Sequence, residues 1–242
     1  MSLFDDAVAD IKQEYDNLGH SLGWRFLCVS KSTLNPSTKI ALITANPAGD
    51  HIPKNHPTDS CEEGSAYVVE QWGKAPKGQH KLQKQVQTLF RCLSEKAVWR
   101  KVSGEALLEQ SLIAYFIPFR SPSLKELHRP KDSLKFAERL WTNLFERIRP
   151  RLVISIDRDT YKALGPIIEN TTGARLVKQD KLSTGWGKLN ANVDEYRSDN
   201  YQMMLVYLQH LSRFGIFDER RFTKPSCRDA VRDIIDHACK HV

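Results

Sequence analysis

The stretch Lys39-Ile40-Ala41-Leu42-Ile43-Thr44-Ala45-Asn46-Pro47-Ala48-Gly49-Asp50 constrains this chain more than any other. Its apolar run, residues 40–43, is too short for a helix of its own and is bounded by turn-forming residues. That is the signature of a short buried strand. Asn46-Pro47 ends it, because Pro47 has no backbone N–H to give to a ladder. A polar side chain, Asn46, is thereby delivered to the carboxyl end of a strand. In open α/β sheets that edge is where ligands bind.

Further strands follow from the same pattern. Residues 111–117 form a second apolar run, ended by Pro118-Phe119-Arg120-Ser121-Pro122-Ser123. Residues 151–157 form a third, 175–177 a weaker fourth, and 201–208 the last. Between them apolar residues recur at helical spacing. Phe4, Ala7, Ile11 and Tyr15 do so within residues 4–22, and Leu82, Val86, Leu89, Phe90 and Leu93 follow a basic lead-in. Residues 105–110 read as a short helix. Phe136, Leu140, Leu144, Phe145 and Ile148 share one face of a helix begun at Ser133. Residues 161–170 form another, capped by Asp159 or Thr160, in which Gly165-Pro166 is expected to make a kink or a break. Ala230, Ile234, Ile235 and Ala238 face inward from a closing helix over residues 229–240. Residues 23–28 read as a short strand or irregular packing segment, and residues 178–200 as a loop or hairpin.

Strands near 40, 112, 152 and 203 separated by helical segments imply an α/β fold. The expected form is a three-layer αβα sandwich around a central, mainly parallel four-stranded sheet. No linker or repeat divides the chain, so residues 1–242 are expected to be a single domain.

Charge narrows the partners. Lys and Arg number 36 against 29 Asp and Glu, a formal net charge of +7, which favours polyanions, nucleic acid first. Lys74, Lys77, Lys81 and Lys84 sit in an acid-free stretch where they could follow a phosphate backbone. No apolar run is long enough to span a bilayer, and the first residues lack the charge and hydropathy of a signal peptide. A cytoplasmic protein with no membrane partner is the expectation. The five cysteines are scattered with no CxxC spacing, which speaks for reduced thiols and against a zinc or iron–sulfur centre. His51 and His56 lie in the polar loop of residues 50–64, at a spacing that matches no closed metal site.

Three strand ends carry candidate chemistry. Asn46 can hold a water through its carbonyl oxygen. Arg120 and Ser121 follow the second strand. His210 and Ser212 follow the last, where an imidazole can stabilise developing negative charge and a hydroxyl can meet a phosphate. Arg213 and Phe214 supply a cation and an aromatic suited to a nucleotide chain. No nucleophile elbow, P-loop or G-x-G-x-x-G appears in strand-turn-helix context, which argues against the triad hydrolases, NTPases and dinucleotide enzymes that those motifs mark.

Thr44-Ala45-Asn46-Pro47-Ala48-Gly49 and Gln209-His210-Leu211-Ser212-Arg213-Phe214 together resemble two motifs of the uracil-DNA glycosylase superfamily. The first is similar to that of the mismatch-specific and thymine-DNA glycosylase branch, the second to its His-Pro-Ser motif. Arg120, Pro122, Lys125, Glu126 and Leu127, and the segment Arg149-Pro150-Arg151-Leu152-Val153-Ile154-Ser155, are similar in order and spacing. The resemblance covers residues 40–214. It implies a DNA glycosylase that flips a damaged or deaminated, uracil-like base out of the stack and hydrolyses its glycosidic bond. It implies Asn46 and His210 as catalytic residues, Asn46 orienting the water and His210 bonding the base oxygen. Pro47, Ala48 and Tyr115 would line the base pocket and Ser212 would grip a phosphate. Arg120, Ser121, Arg213, Phe214, Lys77 and Lys81 would face DNA, single- or double-stranded, with no metal or cofactor and a monomeric chain. The pattern departs from the family at Tyr115, where a base-reading Asn is usual, at Leu211, where Pro is usual, and at Thr44, where Gly is common. A glycosylase-like protein that binds nucleic acid or a nucleotide without chemistry is the alternative. A metal hydrolase using His51, His56 or His210 is a third.

Overall fold

The computed structural model describes residues 2–99 and 101–241. Among these residues seven α-helices and six strands follow one another: α1 (Leu3–Leu18), β1 (Ile40–Thr44), α2 (Ala66–Val69), α3 (Lys81–Ser94), α4 (Gly104–Glu109), β2 (Leu112–Tyr115), α5 (Pro130–Phe145), β3 (Leu152–Ser155), α6 (Arg158–Thr172), β4 (Arg175–Ser183), β5 (Asn190–Arg197), β6 (Gln202–Tyr207) and α7 (Pro225–Ala238).

Helix ends explain where expectation and structure part. α1 begins in a capping box between Ser2 and Asp5 and stops at Leu18, because Gly19 turns left-handed and gives its N–H to Asp16. α5 starts at Pro130, three residues ahead of Ser133, since a proline at the first helical position forfeits no bond. The cap of α6 is Asp157, whose carboxylate accepts from the N–H groups of Asp159 and Thr160 at 3.1 and 2.9 Å. It is neither Asp159 nor Thr160, and Pro166 lies inside α6 without dividing it.

The sheet has six strands, not four, in the order β2-β1-β3-β6-β5-β4. The four expected strands form its parallel part, in register Ile43 beside Ala114 and Ser155, and Ser155 beside Tyr207. Residues 178–200, read as loop or hairpin, form the hairpin: they extend β4 and supply β5, two antiparallel strands that widen the sheet. Their polar sequence left loop and hairpin both open, because β4 is an edge strand exposed along most of its length.

Parallel crossovers are right-handed, so the direction of travel fixes the face. The chain moves one way from β1 to β2, through α2, α3 and α4, and the other way from β2 to β3 and β6, through α5 and α6. The two helix sets accordingly pack on opposite faces. Ala41, Ile43, Ala114, Val153 and Leu205 meet α1, α5 and α6, while Ile40, Leu42, Ile113, Ile154 and Val206 meet α2, α3, α4 and α7. Burying each valine, leucine or isoleucine among them contributes roughly 1.5–3 kcal/mol. Residues 23–28 run irregularly along the outer edge of β2, where Tyr115 donates to Phe26 O and Cys28 to Ile113 O. They cover what would otherwise be an unpaired edge. None of the helices among the described residues is long and apolar enough to cross a membrane.

Candidate functional site at the carboxyl edge of the sheet

The reversal of direction at β1 makes the gap between the carboxyl ends of β1 and β3 a topological switch point, where α/β sheets open a crevice. Ile43, Ser155 and Tyr207 lie in one register row. Asn46 stands three residues beyond that row on β1, and His210 three residues beyond it on β6. One strand lies between them, so their backbones leave the sheet two strand spacings apart, about 10 Å.

Asn46 is held in a turn stitched to the turn after β2. Phe116 N–H donates to Thr44 O at 2.6 Å, Ile117 to Ala45 O at 2.8 Å and Ser121 to Pro47 O at 3.2 Å, while Gly49 N–H donates to Ser121 O at 3.2 Å. Arg120 lies across this turn, its Nη1 donating to Ala48 O. Gly49 is required there. Its φ is +130°, and a Cβ would come 2.9 Å from Arg120 Nη1.

The Asn46 amide has one consistent orientation. Its Nδ2 meets Ser121 Oγ at 2.8 Å, Phe119 O at 3.1 Å and Pro47 O at 3.3 Å. Two of these are carbonyls, and the hydroxyl already donates to Ser123 O. All three are acceptors, so the nitrogen faces them and Oδ1 faces away. No donor among the described residues reaches Oδ1.

His210 is oriented by its own turn. Its Nδ1 lies 3.3 Å from the Ser212 N–H and 2.7 Å from Ser212 Oγ. A backbone N–H can only donate, so Nδ1 accepts and the proton of the neutral ring sits on Nε2. The protein around the ring withdraws water from it although its outer side is exposed. This desolvation, with Arg213 nearby, holds the imidazole below its ordinary value, against an opposing pull from Asp157. The edge thus presents an acceptor, Asn46 Oδ1, and a donor, His210 Nε2–H. Between them, at the end of β3, stands Asp157, one of whose oxygens caps α6.

Other expected residues fall in varied places. Pro47 is buried and Ala48 exposed within the Asn46 turn. Ser121 is buried with its hydroxyl committed on both sides, so it positions Asn46 and does not face a nucleic acid as expected. Ser212 spends its hydroxyl proton on His210, which leaves its oxygen lone pairs but no proton for a phosphate. Arg213 is exposed, whereas Phe214 is half-buried with its ring edge-on to Trp186. Lys77 is exposed in the turn before α3. Lys81 is exposed too, and donates to Arg213 O at 3.3 Å, which joins the basic start of α3 to the His210 turn. Tyr115 ends β2, but its hydroxyl is withdrawn into a cluster with Cys28, Arg25 and Glu70, and burial pushes its pKa far above the ordinary range.

His51 is solvated against Asp50, and His56 packs on Tyr15 and Trp24. Among the described residues no group of three or more His, Cys, Asp and Glu is placed to hold a metal. A cavity of about 780 Å³ opens along α3, lined by Lys81, Lys84, Arg91 and Arg220 among others. A smaller one of about 320 Å³ lies at the amino end of β1, around Ile40. Neither is lined by Asn46 or His210. Chemistry, not volume, marks the strand-end site.

Two participants escaped the sequence reading. Gln85, buried on α3, donates through Nε2 to Leu211 O and accepts at Oε1 from Phe217 N at 3.1 Å, pinning both sides of the His210 turn. The signal was a glutamine beside the apolar stripe of a core-facing helix. Asp157 read as an ordinary strand end because only the register shows it lying between Asn46 and His210. No protein-family model matches the chain, and no curated protein matches it.

Proposed function

We propose that this chain is a DNA glycosylase with a fold like that of the uracil-DNA glycosylases, hydrolysing the N-glycosidic bond of a flipped, uracil-like base. The observation that carries the reading is the register-matched pair of Asn46 and His210, with an acceptor on one side of β3 and a donor on the other. The order β2-β1-β3-β6 of the parallel strands supports it, as does the surplus of basic residues.

In this reading Asn46 Oδ1 accepts a hydrogen bond from water and aims its oxygen at the sugar C1′. The bond from C1′ to the base nitrogen breaks, and its electrons leave with the base. His210 Nε2–H donates to the base oxygen on which that charge settles, as a preorganised dipole in place of water. In the same reading the Asp157 carboxylate, at the strand end between them, opposes the positive charge developing on the sugar. The water oxygen bonds to C1′, and its proton passes to solvent.

Tyr115 favours a second reading. With its hydroxyl tied to the Cys28 cluster, the end of β2 offers no amide edge to read a base. A nucleic-acid or nucleotide binder without chemistry fits that feature. Incubating the protein with duplexes containing uracil, xanthine or hydroxymethyluracil, and counting abasic product, separates the two. Release of any of these bases supports the glycosylase. Binding that weakens steeply with salt, with every lesion left intact, supports the binder.

A further inference from the structure

We propose that the turn of the β4–β5 hairpin is a second nucleic-acid-binding arm, with Lys188 at its apex holding a backbone phosphate beside the His210 end of β6. The inference rests on the reading of the carboxyl edge as a nucleic-acid site.

The register carries the turn to that edge. Asn192 on β5 lies opposite Tyr207, the last residue of β6, and Asn190 opposite Ser183 closes the hairpin beyond it. The turn therefore stands past the end of β6, on the side from which His210 emerges. It is fastened there. Arg221 stacks its guanidinium 4.3 Å over the Trp186 ring and donates to Gly185 O and, at 2.8 Å, to Gly215 O. Trp186 meets Phe214 with ring centres 6.3 Å apart. Gln209, the neighbour of His210, donates to Asn190 O. Gly185 permits the close fit, since a Cβ would lie 3.0 Å from the Cys227 backbone.

The turn is also closed on itself. Thr184 donates to Leu189 O through both N–H and hydroxyl, at 3.1 and 2.9 Å, and Leu189 N–H returns to Trp186 O at 3.1 Å. Lys188 is thus an exposed cation on a fixed support. Among the described residues neither Lys188, Arg213 nor Lys81 has an acidic partner within salt-bridge distance. Three cations without an acidic partner at this edge suit a polyanionic strand more than a neutral ligand. Trp186 and Phe214 are spent on each other and on Arg221, so they serve as the rivet and not as stacking surfaces.

Fluorescence anisotropy with a labelled oligonucleotide carrying a stable abasic-site analogue tests this across a salt series. Lys188→Ala should weaken binding about three- to tenfold at low salt and lower the salt slope by about one, as for loss of one phosphate contact. Lys135→Ala, on the outer face of α5, should do neither. If wild type binds and Lys188→Ala matches it in affinity and slope, the hairpin arm is wrong and the Asn46–His210 reading stands. If wild type binds no oligonucleotide at low salt, the nucleic-acid reading fails and takes this inference with it.

Discussion

Asn46 and Ser121 form the contact on which the site's chemistry depends. The Ser121 hydroxyl lies 2.8 Å from Asn46 Nδ2 and gives its own proton to Ser123 O. It can only accept from the amide, so it turns the Asn46 carbonyl oxygen away from the protein. A residue on the β2 turn thereby aims a residue on the β1 turn.

Ser121→Ala should therefore act on rate more than on binding. The amide keeps its bonds to Phe119 O and Pro47 O but loses its shortest partner. A five- to twentyfold slower base release with DNA affinity within twofold of wild type is expected from single-turnover kinetics and anisotropy. Ser121→Thr, which retains the hydroxyl, should recover most of the rate.

Gln85→Leu should be costly for its size. It leaves Leu211 O and Phe217 N–H buried and unpaired, at about 1–3 kcal/mol for each group. Urea denaturation should show a loss of several kcal/mol. Gln87→Leu, on the half-buried side of α3, should cost less.

The Arg25–Glu70 pair predicts an asymmetry. Arg25 is 8% exposed and bonds both carboxylate oxygens of Glu70, at 2.9 and 2.7 Å. Arg25→Met strands a half-buried carboxylate that only Trp72 at 3.0 Å and the weak thiol donor Cys61 at 3.9 Å then serve, and should cost about 3–5 kcal/mol. Adding Glu70→Gln should restore part of that loss. Additive losses would show that the two residues act independently.

Stability should fall with acid through His20. Its ring is buried against Ser133 and stacked near Phe119, and desolvation, with His128 beside it, lowers its pKa from 6.5 to about 4. Between those values the unfolded chain binds a proton that the folded chain does not. Its contribution is complete above pH 6.5, declines as pH falls toward 4, and changes no further below that. Thermal melts of wild type and His20→Gln across this range should converge as the pH drops.

The sequence was most legible where burial was complete. The four parallel strands carry short apolar runs, and each was visible as such, together with Asn46 and His210 at two of their ends. The β4–β5 hairpin was visible only as one of two alternatives, loop or hairpin, because an edge strand such as Arg175–Ser183 is polar on most of its length. Side-chain roles were the least legible. Ser121 read as a surface residue since nothing in Arg120-Ser121-Pro122 announces that its hydroxyl closes onto Asn46. Gln85 and Asp157 gain their meaning from contacts to residues far away in the chain, Leu211 and the ends of β1 and β6, which periodicity does not report.

The most direct measurement compares Asn46→Ala with wild type on one lesion-bearing duplex, taking single-turnover base release and affinity from the same oligonucleotide. Release slowed about 100-fold or more, with affinity within about threefold of wild type, is the expected result. Equal losses of rate and affinity, or an unchanged rate, would contradict the assignment of Asn46 as the residue that holds the attacking water.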